Sequence, residues 1–173
     1  MEAVNTNKRF LKLLILATGL FFCVSFCFAQ PVLPQRTLTV IATQSIYFGA
    51  FAVMGGAGGT VTVGFDGSRT STGNIVLIAK APTAHPAIFE IKLCQGRNIS
   101  MTFDATTTFV GSNGGSLTLD IGPSEKGISG ARFSTNSDCN FITSLRMGGT
   151  LHIPGTALPG IYTGNFAITF NQQ

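Results

Sequence analysis

Ile161-Tyr162-Thr163-Gly164-Asn165-Phe166-Ala167-Ile168-Thr169-Phe170, entered through Pro159-Gly160, is the stretch whose reading decides the fold. Successive side chains of a strand point to opposite faces, so Tyr162, Phe166, Ile168 and Phe170 share one face while Thr163, Asn165 and Thr169 share the other. That alternation predicts a half-buried strand. A long strand so near the C-terminus needs a sheet edge built by earlier residues, which makes the chain behind it one β-domain closed by its own tail.

Working back from this strand, the same period of two recurs. Leu38, Val40 and Ala42 alternate with threonines over 36–42, Val61, Val63 and Phe65 over 60–66, Phe89, Ile91 and Leu93 over 87–93, and Leu117, Leu119 and Ile121 further on. Residues 45–51 and 99–103 read as short strands, and two more are expected around 141–147 and 149–153. The continuous apolar run 75–79 has the length of a strand covered on both sides. Residues 67–74 read as a polar turn, 104–116 as a Thr- and Gly-rich segment, and 122–140 as irregular. The run Gly55-Gly56-Ala57-Gly58-Gly59 lacks the Lys-Ser or Lys-Thr and the following helix of a phosphate-binding loop, so it reads as a flexible connection. No window has sustained helical periodicity. About nine to eleven short strands with regular turn signals point to an all-β, antiparallel sandwich of immunoglobulin-like type.

The front of the chain reads differently. Lys8, Arg9 and Lys12 precede an almost wholly apolar run over 13–28, ending in Cys27-Phe28-Ala29, the layout of a secretory signal peptide cleaved after Ala29. The expected organisation is therefore a signal peptide over 1–29 and a single β-sandwich domain over 30–173. Lys8, Arg9, Lys12 and Glu2 leave with the leader, so the 11 basic and 7 acidic residues become 8 and 6, a net charge of +2. Scattered charges at that balance give no electrostatic footprint for nucleic acid. The membrane is met only through the signal peptide during export, and the expected location is secreted or cell-surface, by way of the periplasm in a Gram-negative cell.

Export also removes Cys23 and Cys27. Cys94 and Cys139 are then the remaining thiols, and an oxidising compartment favours their pairing as a disulfide. Closing a loop of that length stabilises by roughly 4 kcal/mol in the chain-entropy account. Two cysteines and the distant His85 and His152 have none of the close spacings of a zinc site. Neither histidine has a nucleophile-and-acid neighbourhood, and the acidic residues lie singly near strand ends, where Asp makes turns. No catalytic, metal-binding or cofactor-binding residue is assigned, and the chain is not expected to be an enzyme. Trp is absent. Most Phe residues of the domain occupy inward positions, which leaves little for a sugar-binding platform beyond Tyr47.

Read together, Ile46-Tyr47-Phe48-Gly49-Ala50-Phe51, Gly59-Thr60-Val61-Thr62-Val63, the polar turn before Ile75, Gly148-Gly149-Thr150-Leu151 and Gly160-Ile161-Tyr162-Thr163-Gly164-Asn165-Phe166 resemble a family of small secreted bacterial proteins grouped as a domain of unknown function. That family is similar in turn to fimbrial subunits and spore-coat-like proteins. The resemblance implies a pilin-like or adhesin-like surface protein, possessing like subunits or a periplasmic chaperone as partners. Its assembly strands would carry Leu38, Val40 and Ala42 at the front, donated to a neighbour, and Tyr162, Phe166, Ile168 and Phe170 at the end. The other reading is a monomeric secreted module for a surface glycan or matrix ligand. Mass spectrometry of the secreted protein is expected to find Gln30 at the mature N-terminus and no alkylatable thiol; a chain starting at Met1, or two alkylated cysteines, overturns the reading of leader and disulfide.

Overall fold

The computed structural model of the protein describes residues 37–93, 98–136, 138 and 140–173. The leader expected over 1–29, Cys94, Cys139 and the pairing expected between them lie outside the described residues. Among the described residues thirteen strands occur in chain order: β1 (Thr39–Gln44), β2 (Ala50–Val53), β3 (Gly59–Val63), β4 (Arg69–Gly73), β5 (Ile75–Ile78), β6 (Ala87–Lys92), β7 (Asn98–Phe103), β8 (Thr106–Gly111), β9 (Ser116–Ser124), β10 (Arg132–Ser134), β11 (Thr143–Ile153), β12 (Tyr162–Thr163) and β13 (Ile168–Gln172). Every pairing between them is antiparallel. The described residues contain no helix.

One strand holds the largest sheet together. The residues expected to form two strands around Gly148 form the single 11-residue β11. Along one edge, Thr143 to Met147 pair with β6 and Gly149 to Ile153 pair with β3, end to end, while the opposite edge pairs with β9. The sheet continues from β6 to β1, from β3 to β4, and from β9 through β8 to β12. Alternation explains which face of β11 is buried: Leu145, Met147, Leu151 and Ile153 are almost wholly enclosed, each worth about 1.5–3 kcal/mol relative to exposure. Gly148 sits where the partner changes. A Cβ there would run into the carbonyl oxygen of Val63 and come within 2.9 Å of the Phe65 amide nitrogen, so backbone crowds the site.

Two smaller sheets, β10-β7-β13 and β2-β5, supply the other layer. Ile99, Met101 and Phe133 from the first join Ile91, Leu93 and Leu145 in one apolar cluster, with Leu38, Val40 and Phe170 against it. Phe48 and Ile75 join Val61, Val63, Phe109, Leu117, Leu119 and Leu151 in a second cluster, against which Phe51, Val53 and Leu77 pack. Phe89, Phe103 and Ile168 touch both. The architecture is thus all-β and antiparallel, in packed layers.

Several expectations are corrected. The closing stretch is not one strand: β12 pairs with β8 in the large sheet, the chain crosses at 164–167, and β13 pairs with β7 in the three-stranded sheet. Gly164 makes the crossing, since a Cβ there would meet the Phe109 ring and lie 2.7 Å from the Thr108 carbonyl oxygen. The polar turn at 67–74 is instead mostly β4, and the segment after Asp104 holds β8. Within 75–79, Val76 and Ile78 remain about half exposed, because β5 belongs to a sheet of two strands. Phe65 lies in the β3–β4 turn and is exposed, and Ala42, facing Phe89 just before a bulge at Thr43, is exposed as well. The glycine-rich connection after β2 is closely packed: Gly58 is buried, at positive φ, against the backbone of 153–155. Gly148→Ala is expected to lower stability by about 1–3 kcal/mol, through overpacking against backbone that cannot yield, with Gly56→Ala near neutral where nothing lies within 4 Å; thermal unfolding of the two variants checks this.

Candidate functional site: an apolar slot beside a strand edge

The chain before β2 is shaped by local contacts. Tyr47 exchanges backbone hydrogen bonds of 2.9 Å with His85, and their rings lie 5.7 Å apart. Phe48 turns inward and meets Phe109 edge-on at 6.4 Å. Gly49, at φ 74°, lies directly over the Arg69 guanidinium, where a Cβ would stand 3.0 Å from Cζ. From β4, Arg69 donates to the carbonyl oxygens of Ala50 at 2.7 Å and Ile78 at 3.3 Å. Those two residues face each other at the end of the β2–β5 ladder, so one guanidinium ties the small sheet to the large one. Burial draws the Arg69 pKa below its ordinary value, opposed by Tyr47, and arginine keeps its charge at any working pH.

A second wall is built by the chain entering β12. Ala157 donates to the Pro154 carbonyl, the Tyr162 hydroxyl donates to the Leu158 carbonyl at 2.6 Å, and Asn113 donates to the Pro159 carbonyl at 2.7 Å. Ile161 is fixed to Ser112 through both its amide and its carbonyl. Between the walls lies an apolar cavity of about 600 Å³, floored by Phe109, Leu117 and Leu151.

The walls are runs of consecutive residues, 46–53 on one side and 157–162 on the other. Because side chains of a strand alternate, a cavity lined by neighbouring residues of both parities runs along backbone edges instead of lying under one face. β2 has a strand neighbour on one side, β5, and β12 has one neighbour, β8. The cavity is a slot between the edge of β2 that has no strand neighbour and the hydrogen-bonded loop over 157–161 that leads into β12.

The residues assigned to assembly are distributed differently. β1 is paired within its own domain, beside β6 at the sheet margin; Leu38 and Val40 are half-buried against the second-layer cluster. Tyr162 alone of the seven lines the slot. Phe166, in the crossover, and Phe170, in β13, both pack on Phe89 at 6.5 and 6.3 Å, with Ile168 beside them. The wall at 46–53 was missed as a site in the sequence, although Ala50-Phe51-Ala52-Val53 has no polar residue on either face and so asks for cover on both. His152 Nε2 meets Asp120 Oδ2 at 2.6 Å on the exposed side of the large sheet, away from the slot. Among the described residues no three His, Cys, Asp or Glu side chains are grouped to hold a metal ion, and no helix is long and apolar enough to cross a membrane.

Residues 38–171 match the family described as a domain of unknown function (DUF4402), and the chain belongs to it. No curated protein and no solved structure matches the chain. Arg69→Met is expected to cost about 1–2 kcal/mol by leaving two carbonyls without their donor, and Arg69→Lys to recover only part, since an ammonium cannot span both; denaturant unfolding at equilibrium checks the order.

Proposed function

We propose that the protein is a secreted or cell-surface structural, adhesin-like subunit that takes an extended strand from another polypeptide into its slot. The observation that carries this reading is the slot itself, an apolar cavity bounded along one side by the edge of β2 that has no strand neighbour. Backbone groups on such edges gain hydrogen bonds from an added strand, while apolar side chains at alternate positions of the guest fill the floor. The floor of Phe109, Leu117 and Leu151 is fit for apolar knobs and offers no charge to an ionic ligand. On this reading the sandwich is immunoglobulin-like and pilin-like, the leader directs export, and the guest comes from a like subunit or a periplasmic chaperone. The domain has no catalytic role and needs no cofactor.

A second reading is favoured by β1, which is held inside its own domain and is therefore not free to be donated as the chain stands. That pairing supports a monomeric secreted binding module for a surface glycan or matrix ligand.

Ile161 separates the two readings because it is 75% exposed on the slot wall, so a charge there leaves the core intact. Ile161→Asp is expected to abolish association between copies seen by size-exclusion chromatography, with an unchanged β-signal in circular dichroism. A wild-type protein that stays monomeric at every concentration and takes up no strand peptide overturns strand uptake.

A further inference from the structure

The outward face of the large sheet carries a pattern that the slot does not use. Across β4, β3, β11, β9 and β8 the registers align Thr72, Thr60, His152, Thr118 and Thr108 in one row. The adjacent row is Thr70, Thr62, Thr150, Asp120 and Thr106. Eight of these ten positions are threonine, and all ten side chains are exposed or half-exposed. Neighbouring strands repeat at about 4.8 Å and alternate residues along a strand at about 6.8 Å, so hydroxyls and methyls stand on a two-dimensional grid.

The grid is held in place. Threonine is stiff at χ1, and hydroxyl pairs at 2.7 Å (Thr60 with Thr72) and 3.0 Å (Thr62 with Thr150) lock neighbours together. Each pair still offers solvent one O–H and its remaining lone pairs. The two titratable groups of the grid, Asp120 and His152, are bonded to each other, and the other charges of this face, Arg146 on β11 and Glu90 on β6, stand outside the ten positions.

These features select the ligand. Small molecules need a concave pocket, and this is an open sheet face. Protein partners are met through aromatic, Met and Arg side chains, and none of the ten positions carries one. The same lack of rings removes the stacking platform that a polysaccharide surface would use. What remains is an uncharged, periodic, hydrogen-bonding solid. We propose that this threonine face binds ice, the hydroxyls anchoring ordered water and the methyls confining it between rows. Strand twist of about 20° per neighbour limits a planar match to adjacent strands, and His152 and Asp120 interrupt the rows at β11 and β9, so the all-threonine block of Thr60, Thr62, Thr70 and Thr72 on β3 and β4 carries the effect.

The test is partition of the purified protein into slowly growing ice, with inhibition of ice recrystallisation as a second readout. Wild type is expected to be taken into the ice. Thr70→Lys, at an exposed position of that block, is expected to reduce the ice-bound fraction about tenfold, the weight of one misplaced contact. Thr102→Lys, on exposed β7 in the other layer, is expected to leave it unchanged, and circular dichroism of both variants is expected to match wild type. Exclusion of the wild type from ice overturns the proposal, as does equal loss in both variants or retention by Thr70→Lys. Binding to microcrystalline cellulose or chitin without uptake into ice overturns it in favour of a polysaccharide.

Discussion

The fold depends on the length of β11. A strand of ordinary length has two neighbours, but this one has three, because β6 and β3 share one of its edges in succession while β9 takes the other. Its inward residues therefore enter both apolar clusters: Leu145 in one, Met147, Leu151 and Ile153 in the other. A register slip of one residue would turn all four to solvent, so pairing of this strand is strongly specified. Gly148 is the point at which the two halves meet, and the tight approach of Val63 and Phe65 there leaves room for no side chain.

The slot follows from the same arrangement. The second layer is divided into a sheet of three strands and a sheet of two, and the smaller piece covers its share of the large sheet with an uncovered flank. That flank, β2, is held at a distance from β12 by anchors on both sides: Arg69 and His85 at one wall, Ser112 and Asn113 at the other. Apolar contacts join these bonds, since Phe48 packs on Phe109 and Phe51, Val53, Ala157 and Tyr162 lie against the same cluster. Polar bonds and apolar packing together hold the two walls beside the apolar floor.

How far the sequence foretold this depends on whether hydrophobic alternation carried the signal. Val61 and Val63, Ile91, Leu117 and Leu119 alternate with polar residues and are buried as their period requires. β4 was illegible because its inward positions are Arg69 and Ser71, polar residues whose two Nη groups and hydroxyl donate to carbonyls of β2 and β5, which nothing local announces. β8 was hidden by its threonines in the same way. The closing stretch is the instructive case. Tyr162, Phe166, Ile168 and Phe170 are all half-buried and their neighbours exposed, as alternation requires, yet the ladder breaks between them. Both sheets look onto one interior, so a chain crossing from one to the other keeps its inward parity, and parity alone cannot reveal a change of sheet. The slot was less legible still, since an unpaired edge is a property of what is missing beside a strand.

The crossing at Gly164 also ties the two ends of the domain to one cluster. Leu38 and Val40 from the first strand and Ile168 and Phe170 from the last pack on the same residues, so that cluster spans nearly the whole sequence. Contacts of such sequence separation form late, since the chain must close its largest loop before they reward it. A chain delivered N-terminus first, from a ribosome or through a translocation pore, holds Leu38 and Val40 without their counterparts until its final residues emerge. The topology thus acts as a timer: this cluster is completed only after the residues of β13 are released.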